Sequence, residues 1–262
     1  MAITAIEYKL LRDFARRGDL PKRPAVIEFG ESNWYGDVSI AQLDTDIGQF
    51  VADPDTRTRL RDRLAHEAKR LAAGEDDAGW RVAKIAYAAF LGPESLIAVD
   101  MGGRTEEALK LDLNEKVSLP RQYDIAINFG TAEHIFDQRR FFTTVHEVTR
   151  PGGLMIHSAP FRGWLDHGFY NLQPTLYADL ALANGYTPIV MAIAEIHPPK
   201  LVPLKTREHI LELGLAKALP ENGLYYAVMR KGAQESPFRV PMQGYYSGTL
   251  SDRAAKLWEE MR

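Results

Sequence analysis

The stretch YDIAINFGTAEHI, residues 123–135, decides the fold that the sequence predicts. Residues 123–129 are mostly apolar, as expected of a strand that is buried on both faces of a parallel sheet. Gly130 follows this strand and lets the backbone approach a ligand closely. Glu133 and His134 come next, in the expected first turn of a helix. Because ligands of parallel sheets bind beyond the carboxyl ends of the strands, this junction is a candidate site.

Similar apolar segments lie on both sides of this stretch. The predicted strands cover residues 25–29, 95–101, 108–114, 123–130, 154–160, 186–196 and 223–231. They alternate with segments of helical periodicity at residues 56–73, 80–92, 137–150, 174–185 and 205–219. Strands that alternate with helices in this way predict an α/β fold, namely a Rossmann-like, seven-stranded, mostly parallel sheet with helices on both faces.

Composition and charge exclude several classes of function. The 262 residues carry a formal net charge of -3, which gives no basic field for nucleic acid. The chain has no cysteine, so disulfides, thiolate catalysis and cysteine-based metal sites are excluded, and a cytoplasmic location is expected. No apolar run is long enough to span a bilayer, and we expect no membrane partner. We expect a single domain over residues 1–262, with an N-terminal helix within 1–22 and a tail at 232–262. A homodimer is left open.

Three residues stand at the predicted carboxyl edge. Asp100 ends the second strand, where a carboxylate can accept two hydrogen bonds from a ribose diol, although a helix-capping role is the alternative. Asp112 ends the third strand and could read an adenine amino group; taken alone, a solvent-facing turn is the better interpretation. His134 could act as a general base or contact a substrate, but a packing or capping role is the more common one for such a residue.

The order of these pieces resembles the class I S-adenosylmethionine-dependent methyltransferases over about residues 24–231. The most specific pieces are the 123–135 stretch and the Pro151-Gly152-Gly153 turn that precedes the next strand. The resemblance implies a sheet whose last strand is antiparallel, S-adenosylmethionine as cofactor and a small-molecule acceptor as partner. It also implies cofactor contacts from Glu28, Gly30, Asp100, Met101, Asp112, Leu113, Asn128, Phe129 and Gly130.

The sequence departs from the family after the first strand. Only Gly30 is present where several glycines are usual, and the distance from Gly30 to Asp100 is long. We therefore expect a helical insertion, residues 37–78, that acts as a lid. We interpret the first turn as rebuilt, with Glu31, Ser32 and Asn33 contacting the cofactor and with Trp34 and Tyr35 lining the acceptor pocket. A loop that has lost the cofactor is the alternative.

The segment HSAPFRGWLDHGFYNLQP, residues 157–174, is expected to border the acceptor, as the corresponding region does in the family. His167 is our first choice as general base, His134 the second, and Asp166 is a further catalytic candidate. The alternative role for His167 is to order its loop. The predicted substrate contacts are His157, Arg162, Trp164, Tyr170 and Asn171. These residues lack a recognised metal-ligand spacing, so we expect no metal site.

The function that we expect is transfer of a methyl group from S-adenosylmethionine to a small molecule, with a hydroxyl of a sugar or of a secondary-metabolite-like compound as the first choice. N-methylation of a small amine is one alternative. A non-catalytic binding or assembly protein of the same fold is another, favoured by the loss of glycines. A different nucleotide-cofactor enzyme, such as an oxidoreductase, is the third.

Overall fold

Residues 2–261 are described by a computed structural model, and they divide into two units. Unit 1 comprises the described residues up to Asp112 together with Tyr123–Phe129. Unit 2 comprises Leu113–Gln122 and the described residues from Gly130 onward.

Unit 1 is built on four parallel strands. They are β2 (Ala25–Phe29), β4 (Ser95–Val99), β5 (Ala108–Leu109) and β6 (Tyr123–Phe129), in the spatial order β5-β4-β2-β6. Every residue of β2 is buried, which explains why its sequence is apolar apart from Glu28. Strand β2 pairs with β4 on one side and β6 on the other, so the order of the strands reverses beside β2. Open parallel sheets bind ligands at such a switch point, outside the carboxyl ends of the strands.

Four helices and a two-stranded sheet complete unit 1. The helices are α1 (Ala5–Arg17), α2 (Ile40–Phe50), α3 (Pro54–Ala72) and α4 (Ala78–Leu91), and the small sheet pairs β1 (Ala2–Ile3) with β3 (Asn33–Trp34). Helix α3 begins at Pro54, two residues before the predicted start, because the Asp53 carboxylate caps it and accepts a hydrogen bond from the Thr56 amide at 2.8 Å. Helix α2 was not predicted. Its Leu43 and Ile47 are fully buried, and the insertion thus contributes to the core of unit 1.

Unit 2 holds the antiparallel part of the sheet. Its strands are β7 (Thr149–Arg162), β8 (Thr187–Glu195), β9 (Lys200–Pro203) and β10 (Gly223–Arg230), in the order β7-β10-β8-β9. Its helices are a 3₁₀ helix (Ala132–His134), α5 (Gln138–Val148), α6 (Pro174–Asn184), α7 (Arg207–Leu215), α8 (Gly244–Ser247) and α9 (Asp252–Glu260). Strand β10 is antiparallel to both β7 and β8, so the last strand is reversed as predicted, and β9 is also antiparallel to β8.

The α/β prediction with a reversed last strand is confirmed, with three differences in detail. The described residues form four main strands in each unit, where the sequence predicted seven in all, because β9 makes an additional hairpin with β8. The predicted strand at 108–114 is confined to Ala108–Leu109. Pro151–Gly153 lies inside β7 and is not a turn before it. No helix among residues 2–261 is long and apolar enough to cross a membrane.

Candidate active site

The turn after β2 is closed by ionic contacts within unit 1. Glu28 is fully buried on β2, and its carboxylate pairs with Lys84 of α4, which is only 5% exposed. The Lys84 ammonium also lies 3.4 Å from the carboxylate of Glu31, which is 1% exposed. One buried cation therefore serves two buried carboxylates. The sequence signal for it was a lysine within the apolar segment that follows Arg81 in α4, and sequence reasoning missed it.

Glu31 connects this turn to the loop that follows β4. Its carboxylate accepts a hydrogen bond from the Arg104 amide at 2.7 Å, from the Thr105 amide at 3.2 Å and from the Thr105 hydroxyl. Burial by itself would raise the pKa of Glu31, but these hydrogen bonds and the charge of Lys84 outweigh it and hold that pKa below its ordinary value. Glu31 is thus an ionised anchor between two loops of the carboxyl edge.

Asp100 lies at the end of β4, where the sequence placed it. One carboxylate oxygen accepts the amide of Glu31 at 2.7 Å and the other accepts the amide of Gly102 at 2.7 Å. A carboxylate oxygen has two acceptor positions, so each oxygen keeps one for a ligand hydroxyl. The half-buried Asp100 is held in place by the backbone and offers two further acceptor positions at the edge of the sheet.

The rebuilt-loop residues are placed differently from the prediction. The Glu31 carboxylate and the Ser32 hydroxyl, which lies 3.0 Å from the Tyr87 hydroxyl, have partners within the protein. We therefore no longer propose these two side chains as cofactor contacts. The Asn33 side chain, by contrast, has a buried Oδ1 without a hydrogen-bond partner. It remains a proposed polar contact.

Trp34 and Tyr35 do not share one environment. Trp34 is 5% exposed and packs edge-on against Tyr8 at a ring-centroid distance of 5.7 Å. Trp34 therefore belongs to the core of unit 1 and does not line a pocket, as the sequence had predicted it would. The reason is that β3 pairs with β1 and turns this ring inward. Tyr35 is 55% exposed.

The other proposed cofactor contacts fall in both units. In unit 1, Gly30 has a φ of 80°, Met101 is 64% exposed, Asp112 is exposed, and Asn128 and Phe129 are buried on β6. In unit 2, Leu113 is buried and Gly130 has a φ of 81°. Glycine is required at both positive φ angles because other residues are strained there.

Unit 2 contains a second group of polar side chains, Glu133, His134 and His167, which we call the Glu–His–His cluster. Nε2 of His167 lies 3.9 Å from Oε1 of Glu133, and the rings of His134 and His167 are 5.0 Å apart. Glu133 is 1% exposed, and its Oε2 has no hydrogen-bond partner. Burial raises the pKa of Glu133 to about 7, while burial and the neighbouring His167 lower the pKa of His134. Sequence reasoning noted Glu133 but gave it no role.

Backbone contacts hold the cluster together. The carbonyl of Glu133 accepts hydrogen bonds from the amides of Phe169 at 2.8 Å and Tyr170 at 3.2 Å. A Cβ on Gly168 would lie 2.9 Å from that carbonyl oxygen, so only glycine allows this approach. The loop that carries His167 is thereby fastened to the 3₁₀ helix that carries Glu133 and His134.

Several residues predicted to contact the substrate have structural roles in unit 2. Arg162 donates to the Leu219 carbonyl at 3.1 Å, Tyr170 to the Phe136 carbonyl at 3.1 Å and Asn171 to the Gly163 carbonyl at 3.0 Å. These contacts shape the loop. They leave Arg162 and Asn171 exposed and Tyr170 half-buried.

The remaining predicted residues of this loop differ in burial. His157 is 1% exposed, and burial lowers its pKa to about 3, so it is a neutral core residue and not an acceptor contact. Trp164 stacks near His167 at 5.1 Å and has a buried Nε1 without a partner. Asp166 is exposed and has a φ of 58°, and we do not place it with His167 as a catalytic pair.

Comparisons with known proteins return similarity in three-dimensional structure only. No protein-family model and no curated protein matches the chain. The chain is similar to S-adenosylmethionine-dependent methyltransferases of known structure. One from Mesorhizobium loti is 16% identical, with a TM-score of 0.45 over 87% of this chain and 98% of that one.

Two further structures have more specific descriptions. The 1,6-didemethyltoxoflavin-N1-methyltransferase of Burkholderia thailandensis, bound to 1,6-didemethyltoxoflavin and S-adenosylhomocysteine, is 13% identical, with a TM-score of 0.37 over 86% of this chain and 78% of that one. The O-methyltransferase from a trans-AT polyketide synthase multienzyme of Brevibacillus brevis, in complex with S-adenosyl-L-homocysteine, is 11% identical. The match has a TM-score of 0.38 and covers 97% of this chain and 82% of that one. At such identities and TM-scores, a function for this chain has to come from its own residues.

The Glu31 anchor leads to a prediction about stability and pH. Replacing Thr105 by valine removes a hydrogen bond to a buried carboxylate, which we expect to lower the free energy of unfolding at pH 7 by about 1.5–3 kcal/mol. Because the folded-state pKa of Glu31 is depressed, the stability it contributes is present above the unfolded-state pKa and is lost as the pH falls through the folded-state pKa. The difference between the variant and the wild type should therefore shrink as the pH is lowered below about 4.5.

Urea denaturation from pH 7 to pH 3 measures this difference. Thr58→Val is the matched control, since Thr58 is exposed on α3 and bonds only to a helix carbonyl. A Thr105→Val penalty that is the same at every pH would show that the hydroxyl does not act through the charge of Glu31.

Proposed function

We propose that this chain is an S-adenosylmethionine-dependent methyltransferase that acts on a small-molecule acceptor. The observation that carries the proposal is Asp100, held by two backbone amides at the carboxyl end of β4 with acceptor positions to spare, in a sheet whose strand order reverses beside β2. A ribose diol requires such a carboxylate. The family resemblance of the motifs points to the same cofactor.

The residues proposed to hold the cofactor lie along the edge of the sheet. Asp100 accepts hydrogen bonds from the ribose hydroxyls, Asp112 accepts one from the adenine amino group, and the glycine turn at Gly30 lets the methionine part approach the backbone. The cofactor supplies a methyl group on a positively charged sulfur. Asn33, whose buried Oδ1 lacks a hydrogen-bond partner, is the remaining proposed polar contact after β2.

The Glu–His–His cluster supplies the general base. As a hydroxyl acceptor attacks the methyl carbon, its proton passes to His167 and the sulfur–methyl bond breaks, which leaves a methyl ether and S-adenosylhomocysteine. Glu133, 3.9 Å from the imidazole, favours the protonated ring that results. His134 is the second choice for this role.

Exposed aromatic rings around His167 support a flat or sugar-like acceptor. Phe136 is 70% exposed and Phe169 is 67% exposed, and the two rings pack edge to face at 6.0 Å. Trp164 adds a third ring beside His167. Such rings bind sugar faces and aromatic compounds by stacking. We propose O-methylation of a hydroxyl on such a molecule, with N-methylation of an amine as the alternative.

Isothermal titration calorimetry of the folded protein tests the proposal. We expect S-adenosylmethionine and S-adenosylhomocysteine to bind with one site per chain and a dissociation constant in the range of about 1 μM–1 mM that enzyme substrates show. NAD⁺, which shares the adenosine moiety, should give no comparable heat. Tight binding of NAD⁺ without binding of S-adenosylmethionine would support the oxidoreductase alternative.

The non-catalytic alternative has one observation in its favour. The side chains of Glu31, Ser32 and Lys84 fill the turn after β2 with contacts inside the protein. A folded protein that gives no heat with S-adenosylmethionine or its product would favour this alternative and overturn the proposed enzyme.

A further inference from the structure

The structure assigns a metal site to the Glu–His–His cluster: we propose that Glu133, His134 and His167 bind one divalent transition-metal ion, with Zn²⁺ as the best fit. A carboxylate oxygen of Glu133 and one ring nitrogen from each histidine all lie within 4.8 Å of one another. Sequence spacing did not predict such a site, because the two histidines lie on different elements of unit 2.

The carboxylate is the part of the site that is already in place. Glu133 is 1% exposed, and one of its oxygens has no hydrogen-bond partner. Burial of a carboxyl group is costly unless a donor or cation satisfies it. Nε2 of His167 lies 3.9 Å from the other oxygen, Oε1, beyond hydrogen-bond distance, so a cation bound by both carboxylate oxygens and the two imidazoles would satisfy the unpartnered oxygen as well.

The distances require only a small closure. Zinc bonds of about 2.0–2.1 Å in a tetrahedral arrangement place ligand atoms about 3.3 Å apart. The ligand atoms here must therefore approach by up to about 1.5 Å relative to the 4.8 Å limit. His134 and His167 are both exposed, so rotation of their side chains can close this gap, while hydrogen bonds from Phe169 and Tyr170 fix the backbone of Glu133.

The donor set also selects the metal. Two imidazoles and one carboxylate suit zinc and its neighbours in the transition series, whereas magnesium prefers oxygen ligands and water. Three protein ligands leave a fourth position open, as in catalytic zinc sites. In a step that rests on the proposed function, an ion held by Glu133, His134 and His167 would act as a Lewis acid on an acceptor hydroxyl, and the hydroxyl proton would leave to solvent as the oxygen attacks the methyl group. The ion would thus replace His167 as the activating group.

The test is titration of the metal-stripped wild-type protein with ZnCl₂ and, separately, with MgCl₂, followed by calorimetry. We expect one Zn²⁺ per chain and no comparable binding of Mg²⁺. His134→Ala and His167→Ala should each weaken Zn²⁺ binding by at least about 10–100-fold, a loss known even for residues that only support metal ligands. Glu133→Gln should weaken it similarly, because it removes the charge of the carboxylate ligand, and unchanged binding would take Glu133 out of the site.

The control variant is His66→Ala, which removes an exposed histidine on α3 of unit 1 and should leave Zn²⁺ binding unchanged. Circular dichroism of each variant reports whether it is folded. Absence of stoichiometric Zn²⁺ binding by the wild type, or equal binding by the His134→Ala/His167→Ala double variant, would overturn the site. Binding of S-adenosylmethionine is measured in a chelator and without metal, so failure of the metal site and failure of the proposed function are separate results.

Discussion

Replacing Lys84 by methionine is expected to lower the free energy of unfolding by about 3–5 kcal/mol, the usual cost of removing one partner from a buried ion pair. Lys84 is 5% exposed and is the cation for both Glu28 and Glu31. Burial by itself would lower the pKa of Lys84, but the charges of these carboxylates outweigh it and raise that pKa. Without the ammonium, two buried carboxylates remain without their shared cation. Urea denaturation at pH 7 measures the change.

Two variants give this expectation its controls. Lys110→Met removes an exposed lysine and should change stability by no more than about 0.5 kcal/mol. Adding Glu28→Gln to Lys84→Met neutralises one of the two carboxylates that have lost their cation, and it should restore part of the lost free energy of unfolding. If the double variant is no more stable than Lys84→Met, charge is not the reason for the penalty, and lost packing of the lysine side chain is.

Replacing Asp100 by alanine is expected to weaken binding of S-adenosylmethionine by at least about 100-fold. Each hydrogen bond to a charged group contributes about 1.5–3 kcal/mol, and about 1.4 kcal/mol corresponds to a factor of ten. Two ribose hydroxyls on one carboxylate therefore account for a loss of this size. Calorimetry with S-adenosylmethionine measures it, at a temperature where both proteins are folded.

The loop role of Asp100 has to be separated from its binding role, because the same carboxylate also accepts the amides of Glu31 and Gly102. Asp100→Asn keeps one oxygen acceptor and should have an intermediate affinity. Asp62→Ala, at an exposed position on α3, should bind as the wild type does. Unchanged affinity of a folded Asp100→Ala protein would remove the ribose role and, with it, the observation that carries the proposed function.

Much of the fold could be predicted because its signals are local. A few neighbouring residues are enough to indicate each of three features: the mostly apolar strands β2 and β6, the Asp53 cap of α3, and the glycine that ends α6. The misassigned Pro151–Gly153 segment shows the limit. Gly152 has a φ of 74° and bonds to Gly232, a tertiary contact that keeps a turn-like sequence within β7.

For the candidate site, the sequence by itself determined which groups reach the ends of strands. Asp100 follows β4 and Gly30 follows β2, because strand periodicity and chain order fix both places. Only the tertiary structure decided which side chains meet. It paired Lys84 with Glu28 and Glu31, turned Trp34 into the core, and brought His167 to Glu133. The physical reason is that hydrophobic periodicity acts over a few residues, whereas a buried charge is satisfied by whichever partner the path of the chain brings within a few ångströms.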